Sequence, residues 1–339
     1  MDNPLEDSGY LPWPEAGDWQ DLSVYRREGV ALLVLDRLKA DRRAARQAAN
    51  NLDDRLMGEL QGALACVDRA DGISGILLAS GHRLAFSVGA KIDVVLGATF
   101  EQALSIVQRA QQLILRLHRT RKPVVAALNG LTFGGGLEIA MACDYRVAGD
   151  RGNVLFGLPE TSLGILPGMG GTQNLPRLVG QERAREFILD ARADLAPTAA
   201  LALGLVDAVV PYDTLLETAW TWARGNAPRG NAPRGASPRG PLSKTFRPPD
   251  GEPTGDRERI RRELRDWMAG WTPDRERPGR GSPLGQAAAQ FVLERTSPER
   301  WLEGLAYEQE AFAFLVATED AQEGVRALRE ERPPVFRRR

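Results

Sequence analysis

The chain has 339 residues, of which 43% are hydrophobic and 26% charged, and its formal net charge is −1 at pH 7. This length and composition fit one large or two modest soluble domains with a sizeable core. The near-neutral charge gives no overall basic field for nucleic acid, and two cysteines with two histidines predict neither a disulfide framework nor a metal site. No run approaches the roughly 18 apolar residues of a membrane span, and the first residues lack a secretory pattern, so we expect a cytoplasmic protein.

The first part of the chain alternates between strand and helix patterns. Residues 1–20 are rich in proline and acidic residues, which indicates an extended N-terminal arm. Residues 23–26 and 30–36 are typical of two strands that form a hairpin around Glu28-Gly29. A basic loop is expected over residues 37–50. Leucines at helical spacing then predict a helix from about Leu52, and a buried strand follows over residues 75–79.

The most informative stretch is the strand over residues 124–128 together with the glycine-rich turn after it. The strand ends at Asn129-Gly130, three glycines occupy positions 134–136, and the pattern becomes helical from Leu137. Glycine allows a close backbone approach, and the first N–H groups of a helix lack internal partners. The junction therefore predicts a site for an oxygen that carries negative charge.

Glu138 lies near the start of this predicted helix, beside that site. A carboxylate next to an anion-stabilising group of N–H donors favours chemistry that moves protons. The alternative is a closely packed glycine turn beside a solvated glutamate, and the residues of this stretch alone leave both interpretations open.

Strand and helix patterns also alternate around this stretch. A turn of small residues over 85–93 precedes a helix from about Phe100 to Arg119, and strands are expected over residues 145–148 and 154–156. One helix containing Leu178, Ala184 and Phe187 is expected next, and another over residues 215–223. This order predicts an α/β layer architecture in which the turn at 85–93 and the glycine turn are neighbours in space.

The composition changes sharply at Arg224. Residues 224–240 repeat near-identical pentads of Arg, Gly, Asn, Ala and Pro, which cannot bury a core and therefore predict a disordered linker. Contact between these arginines and RNA is the alternative, and we expect no nucleic-acid partner. A charged helix is expected over residues 257–269, which completes a linker and insert over 224–283. Helical patterns return from about Leu284.

Several motifs, taken together, identify a family resemblance. The main ones are Phe86-Ser-Val-Gly-Ala90, Asn129-Gly130, Gly134-Gly-Gly-Leu-Glu138, Pro159-Glu160, Pro167-Gly-Met-Gly-Gly-Thr-Gln173, Gly204-Leu-Val-Asp207 and Arg332-Pro-Pro-Val-Phe336. Their order and spacing resemble the crotonase (enoyl-CoA hydratase/isomerase) superfamily over roughly residues 22–222 and 284–338. Within that superfamily, the chain is most similar to the hydratase part of the multifunctional fatty-acid oxidation α subunits.

The resemblance implies an α/β fold of a particular kind. Residues 21–223 would form a crotonase-like spiral of ββα units, and residues 284–339 a C-terminal helical region used in trimerisation. The implied substrate is an acyl-CoA thioester, with coenzyme A as part of the substrate and without a separate cofactor or metal. The implied assembly is a homotrimer or a dimer of trimers.

The resemblance also assigns roles to residues. The backbone N–H groups of Ala90 and Gly135 would form an oxyanion hole for the thioester oxygen. Glu138 would position and activate water and Glu160 would exchange a proton with carbon, which together add water to trans-2-enoyl-CoA and give 3-hydroxyacyl-CoA. The implied contacts to substrate and CoA are Ala49, Val88, Gly89, Lys91, Gly134 and Gly168.

Two other functions stay open at this point. One is an enoyl-CoA Δ3,Δ2-isomerase or another crotonase-type acyl-CoA reaction. Isomerases of the family usually keep only the carboxylate at the position of Glu160, so the presence of both carboxylates favours the hydratase. The other is a non-catalytic assembly subunit, which would gain nothing from two carboxylates beside an oxyanion hole.

The chain also departs from the family pattern in three places. Lys91 and Asp93 have their charges exchanged relative to that pattern, and residues 224–283 are longer than in simple hydratases. Residues 37–50 lack the usual Arg-Pro start of the loop that binds the CoA adenine, where Ala49-Asn50 is the equivalent.

Overall fold

The computed structural model describes residues 9–37, 49–225, 246–272 and 281–338. The start of the expected N-terminal arm, most of the expected basic loop over 37–50 and most of the expected linker over 224–240 lie outside these residues.

Ten strands occur in the described part of the chain, and they form two sheets. The strands are β1 (Leu11–Pro12), β2 (Leu22–Arg27), β3 (Val30–Leu35), β4 (Gly75–Ser80), β5 (Ala85–Ser87), β6 (Val124–Leu128), β7 (Leu131–Phe133), β8 (Tyr145–Gly149), β9 (Phe156–Gly157) and β10 (Ala208–Val210). The larger sheet has the order β1-β2-β3-β4-β6-β8-β10, and the smaller sheet has the order β5-β7-β9.

The connections between the sheets follow one repeated pattern. Strands β4, β6 and β8 of the larger sheet are each followed directly by one strand of the smaller sheet, and the chain then enters helical structure before it returns. Neighbouring strands from β3 to β10 in the larger sheet, and all strands of the smaller sheet, are parallel. Successive ββα units therefore stack side by side, which confirms the α/β crotonase-like spiral.

Eleven α-helices lie in the described residues. They are α1 (Asp54–Arg69), α2 (Phe100–Arg119), α3 (Gly135–Ala142), α4 (Gly171–Val179), α5 (Gln181–Leu189), α6 (Pro197–Leu203), α7 (Leu215–Ala223), α8 (Arg257–Gly270), α9 (Pro283–Leu293), α10 (Trp301–Val316) and α11 (Glu319–Arg329). The expected helix over 100–119 is confirmed, and the side chains of Thr99 and Gln102 cap its first turn reciprocally. The expected charged helix over 257–269 is also confirmed, as α8.

One helix prediction was wrong, and one strand boundary differs. The single helix expected to contain Leu178 and Phe187 is two helices, α4 and α5, because Gly180 between them adopts φ 88° and ψ 156°. Strand β9 begins at Phe156 rather than at residue 154. Part of the expected N-terminal arm is docked on the larger sheet, because β1 pairs with β2 as the edge strand and Tyr10 is completely buried.

The C-terminal helices cover the spiral core on the side of the glycine turn. Helix α10 packs along α2, and α8 packs against both α9 and α10. Helix α11 contacts two short 3₁₀ helices, Ile92–Val95 and Glu160–Leu163, which follow the first small-residue turn and the Pro159 motif. Among the described helices, none has the length and apolar character needed to cross a membrane.

Candidate active site

A cavity of about 820 Å³ brings together most of the residues predicted to act in the site. Its lining includes Val88, Gly89, Ala90, Lys91, Gly134, Gly135, Glu138, Glu160 and Gly168. Ala49 is not part of this lining, and its carbonyl oxygen instead accepts a hydrogen bond of 3.2 Å from the Val88 N–H. The placement is consistent with a common site, and the roles of the individual residues stay predictions.

Two backbone N–H groups are available on the wall of this cavity. Leu52 donates to the carbonyl of Gly89 and accepts from the N–H of Lys91, so the Ala90 N–H between them points away from Leu52. Gly135 is the first residue of α3, so its N–H has no acceptor within the helix. The structure therefore places both N–H donors that the family resemblance implies beside one cavity.

The segments that carry these donors approach each other through glycine. Gly89 adopts φ 89°, and a Cβ added to it would lie 3.0 Å from the nitrogen of Gly135 and 3.1 Å from the carbonyl oxygen of Phe133. A larger residue at position 89 would push the two segments apart. Two residues distant in sequence thus form one site because the smaller sheet sets β5 directly beside β7.

Glu138 is buried in the first turn of α3 and is held firmly by backbone donors. Its Oε1 accepts hydrogen bonds from the N–H of Met169 at 2.7 Å and of Gly171 at 2.6 Å. Both donors lie at the start of α4, where unpaired N–H groups and the helix dipole favour a carboxylate. The orientation of Glu138 is therefore determined by the segment that precedes and begins α4.

Glu160 has a different environment. It begins the 3₁₀ helix Glu160–Leu163, and its Oε1 lies against Gly134, where an added Cβ would be only 2.7 Å away. Its Oε2 is buried and has no hydrogen-bond partner in the described residues. One carboxyl group of the pair is therefore fixed by two donors, and the other has an oxygen free to interact with a substrate.

A third carboxyl group, which the sequence analysis did not identify, lies behind the same segment. Glu308 on α10 is completely buried, and its Oε1 accepts from the Gly170 N–H at 2.6 Å and from Gln111 Nε2 at 2.8 Å. Its Oε2 accepts from the Thr172 N–H at 3.1 Å and from Thr172 Oγ1 at 2.5 Å. Glu138 and Glu308 therefore meet at the start of α4, and both interact electrostatically with Glu160, which completes a cluster of three carboxyl groups.

A sequence signal for Glu308 did exist. Trp301, Leu305, Phe312 and Leu315 form the apolar stripe of the expected C-terminal helix, and Glu308 falls at the helical spacing of that stripe. An acid on an apolar stripe must be paired or hydrogen-bonded when the stripe is buried. Its partners, however, are far away in the sequence, so the pattern alone could not name them.

Burial raises the pKa of all three carboxyl groups. The pKa of Glu138 lies well above 4.5, because burial and the nearby Glu160 and Glu308 outweigh its two backbone donors. Burial also raises the pKa of Glu160 to about 8 and that of Glu308 to about 7, although hydrogen bonds oppose the shift in both. Burial and the mutual repulsion of the three groups therefore both favour protonated forms within the cluster.

The rest of the cavity has an apolar wall and a charged rim. Apolar side chains from four parts of the fold line the wall: Ile106, Val107, Ile165, Leu166, Met169 and Phe312. At the rim, Arg37 pairs with Asp53, whereas the exposed Lys91 has no ion-pair partner among the described residues. Asp93 pairs with Arg329, which connects α11 to the 3₁₀ helix Ile92–Val95. Lys91 is therefore a cation available at the rim, whereas Asp93 is already paired.

Comparison with known proteins identifies the family of the chain. The family model that matches the chain is that of enoyl-CoA hydratase/isomerase, over residues 33–231. The fatty acid oxidation complex subunit alpha of Idiomarina loihiensis is 37% identical over 195 residues, which cover 57% of this chain and 26% of that protein. The chain therefore spans about a quarter of the length of the curated relatives it matches.

Solved structures match a larger share of the chain than the curated relatives do. A crystal structure of enoyl-CoA hydratase from Bacillus anthracis has a TM-score of 0.56 at 27% identity, covering 94% of this chain and 100% of that one. Human mitochondrial delta3-delta2-enoyl-CoA isomerase has a TM-score of 0.63 at 21% identity, covering 92% and 98%, which shows the shared fold alone. The family match over more than half of the sequence, together with this fold, shows that the chain belongs to the enoyl-CoA hydratase/isomerase family of the crotonase superfamily.

Proposed function

We propose that this protein is an enoyl-CoA hydratase that adds water syn to a trans-2-enoyl-CoA and gives a 3-hydroxyacyl-CoA. The observation that carries the proposal is that two buried carboxyl groups, Glu138 and Glu160, line one cavity with the N–H groups of Ala90 and Gly135. Hydration of a conjugated thioester needs a base for water, an acid for the α-carbon and donors for the developing enolate oxygen.

The different environments of the two carboxyl groups suit different steps. Glu138 would position the water and, in its ionised form, which its two backbone donors favour against burial, would accept one of the water protons as the water oxygen bonds to C3. Glu160, whose pKa is raised to about 8, would donate its proton to C2. The thioester oxygen carries the negative charge between these events, and losing one of its N–H donors would typically cost about 3 kcal/mol of transition-state stabilisation.

The remaining parts of the cavity suit the remaining parts of an acyl-CoA. The apolar wall formed by Ile106, Val107 and neighbouring side chains is suited to the acyl chain, and Lys91 is suited to a phosphate group of CoA. The name of the Idiomarina relative favours a place in fatty-acid β-oxidation. The cytoplasmic location, the homotrimer or dimer of trimers, and the need for no separate cofactor stay predictions.

The test is loss of the conjugated enoyl absorbance with crotonyl-CoA and with a long-chain enoyl-CoA. We expect rapid loss with the wild type and a decrease of at least about a hundredfold in kcat for both Glu138→Gln and Glu160→Gln. Glu299→Gln, at an exposed position outside the cavity, should match the wild type. Absence of hydration by wild-type protein that still binds CoA would refute the proposal.

The second candidate is a double-bond isomerase, and the free oxygen of Glu160 is the observation that favours it. Moving a double bond requires proton removal at one carbon and return at another, which a single carboxyl group can perform. The same proteins are therefore assayed with a 3-enoyl-CoA. Isomerisation that survives Glu138→Gln and is lost in Glu160→Gln, without hydration by the wild type, would assign isomerase instead. A non-catalytic assembly subunit would leave all variants equal.

A further inference from the structure

Four successive backbone N–H groups at the start of α4 donate alternately to two different carboxyl groups. Met169 and Gly171 donate to Glu138, whereas Gly170 and Thr172 donate to Glu308. The segment 169–172 is thus held by one carboxylate that lines the cavity and by another that does not. Neither carboxylate can move without displacing donors that the other one needs.

Glu308 has no other evident reason to be buried. A glutamate side chain without exposure on an apolar helix stripe loses favourable hydration, and the loss is offset only where hydrogen bonds replace the water. Its partners within the described residues are N–H and O–H donors of residues 170 and 172 and the Gln111 side chain. All but one of these donors belong to the segment that also orients Glu138.

We propose that Glu308 is a positioning residue for the reaction: it fixes segment 169–172 from behind, and the segment in turn aims Glu138 at the substrate. The proposal rests on the proposed function for its kinetic part only. A shift of Glu138 by about 1 Å relative to the reacting water can reduce the rate about a hundredfold without affecting distant contacts. Glu308 makes no hydrogen bond to Lys91, the residue suited to a phosphate group of CoA, within the described residues, so its loss should lower kcat by a larger factor than it raises KM.

The test uses Glu308→Gln in the full chain, because glutamine preserves the shape but replaces one acceptor oxygen by an NH₂ group. That NH₂ group faces an N–H donor of residue 170 or of residue 172, whichever way the amide is turned. We expect kcat for enoyl-CoA hydration to fall by about ten- to a hundredfold with KM within about threefold of the wild type. Hydrogen–deuterium exchange should become faster for the amides of 169–172.

Glu310→Gln is the matched control. Glu310 lies on the same helix, is equally buried, and pairs with Arg257 and Arg261 rather than with segment 169–172. Glu310→Gln should lower the melting temperature but affect kcat and the exchange of residues 169–172 much less than Glu308→Gln does, because Glu310 reaches that segment only indirectly, through Arg257, Gln309 and Gln111.

Three results would overturn the proposal: unchanged exchange in Glu308→Gln, unchanged kcat in an active enzyme, or an equal loss of kcat in both variants. An equal loss of kcat in both variants would show that any substitution of a buried glutamate on α10 lowers activity, whether or not it contacts segment 169–172. Absence of hydration by the wild type would refute the proposed function instead, and the exchange comparison would still decide whether Glu308 holds the segment.

Discussion

Replacing Glu160 by glutamine tests whether the site keeps a protonated carboxyl group at neutral pH. Burial raises the pKa of Glu160 from 4.5 to about 8. A carboxyl group with a raised pKa binds its proton more tightly in the folded state than in the unfolded state. Its contribution to stability is therefore present below about pH 4.5 and is lost as the pH rises to about 8. Glutamine keeps the shape of the protonated acid and removes this titration.

The size of the effect depends on the interval between the two pKa values. At about 1.4 kcal/mol per pH unit, the wild type should lose about 4 kcal/mol of unfolding free energy relative to Glu160→Gln between about pH 5 and about pH 8. For a chain of 339 residues, an unfolding entropy of roughly 2 cal/mol/K per residue converts this into about 6 °C in melting temperature.

The assay is thermal unfolding followed by circular dichroism at both pH values, at one protein concentration because assembly makes the melting temperature depend on concentration. We expect the melting temperature of Glu160→Gln minus that of the wild type to increase by about 6 °C from the lower to the higher pH. Glu299→Gln, an exposed glutamate, should run parallel to the wild type. If Glu160→Gln also ran parallel, Glu160 would not be held protonated, and its assignment as the acid would lose its basis.

Two further substitutions test the architecture around the site. Gly134→Ala should reduce the rate of hydration by at least about tenfold, since its Cβ would lie 2.7 Å from Oε1 of Glu160. Gly72→Ala is the control: it is also at positive φ but in open space, so it should show backbone strain without loss of activity. Equal rates for the two variants would contradict this expectation. Arg146→Met should lower the unfolding free energy by about 3 kcal/mol, because buried Arg146 binds Asp207 at 2.7 Å. The same substitution should leave kcat within about twofold of the wild type, since neither residue lines the cavity. Chemical denaturation measures the first effect, and an undiminished stability would show that the pair contributes little.

Much of the site could be predicted because its signals are local. The strand over 124–128, the glycine turn and the helix that begins at Gly135 are contiguous, so the sequence predicts an anion site beside Glu138 without further information. The turn at Glu28-Gly29 could also be predicted from the sequence, and in the structure both residues adopt positive φ in a two-residue hairpin connection. Pairing Ala90 with Gly135 needed the family resemblance as well, since 45 residues separate them and the structure alone brings them into contact through Gly89.

The features that could not be predicted depend on contacts between distant segments or on very short elements. Strand β7 has only three residues, too few for an alternating pattern, and it was included in the glycine turn. The break at Gly180 was missed because apolar residues continue at helical spacing on both sides of it. Glu308 lies 138 residues after Gly170, so its role depends entirely on how α10 packs.

The packing of α10 also connects the insert over residues 224–283 to the site. Gln111 donates to Glu308 and accepts from Gln309, which in turn accepts a 2.6 Å hydrogen bond from Arg257 at the start of α8. A continuous series of polar contacts therefore runs from the segment that orients Glu138 to α8, a helix within the expected linker and insert over 224–283. Buried polar groups in such a series are satisfied only together. Helix α8 thus belongs to the network of hydrogen bonds that supports segment 169–172 behind the cavity.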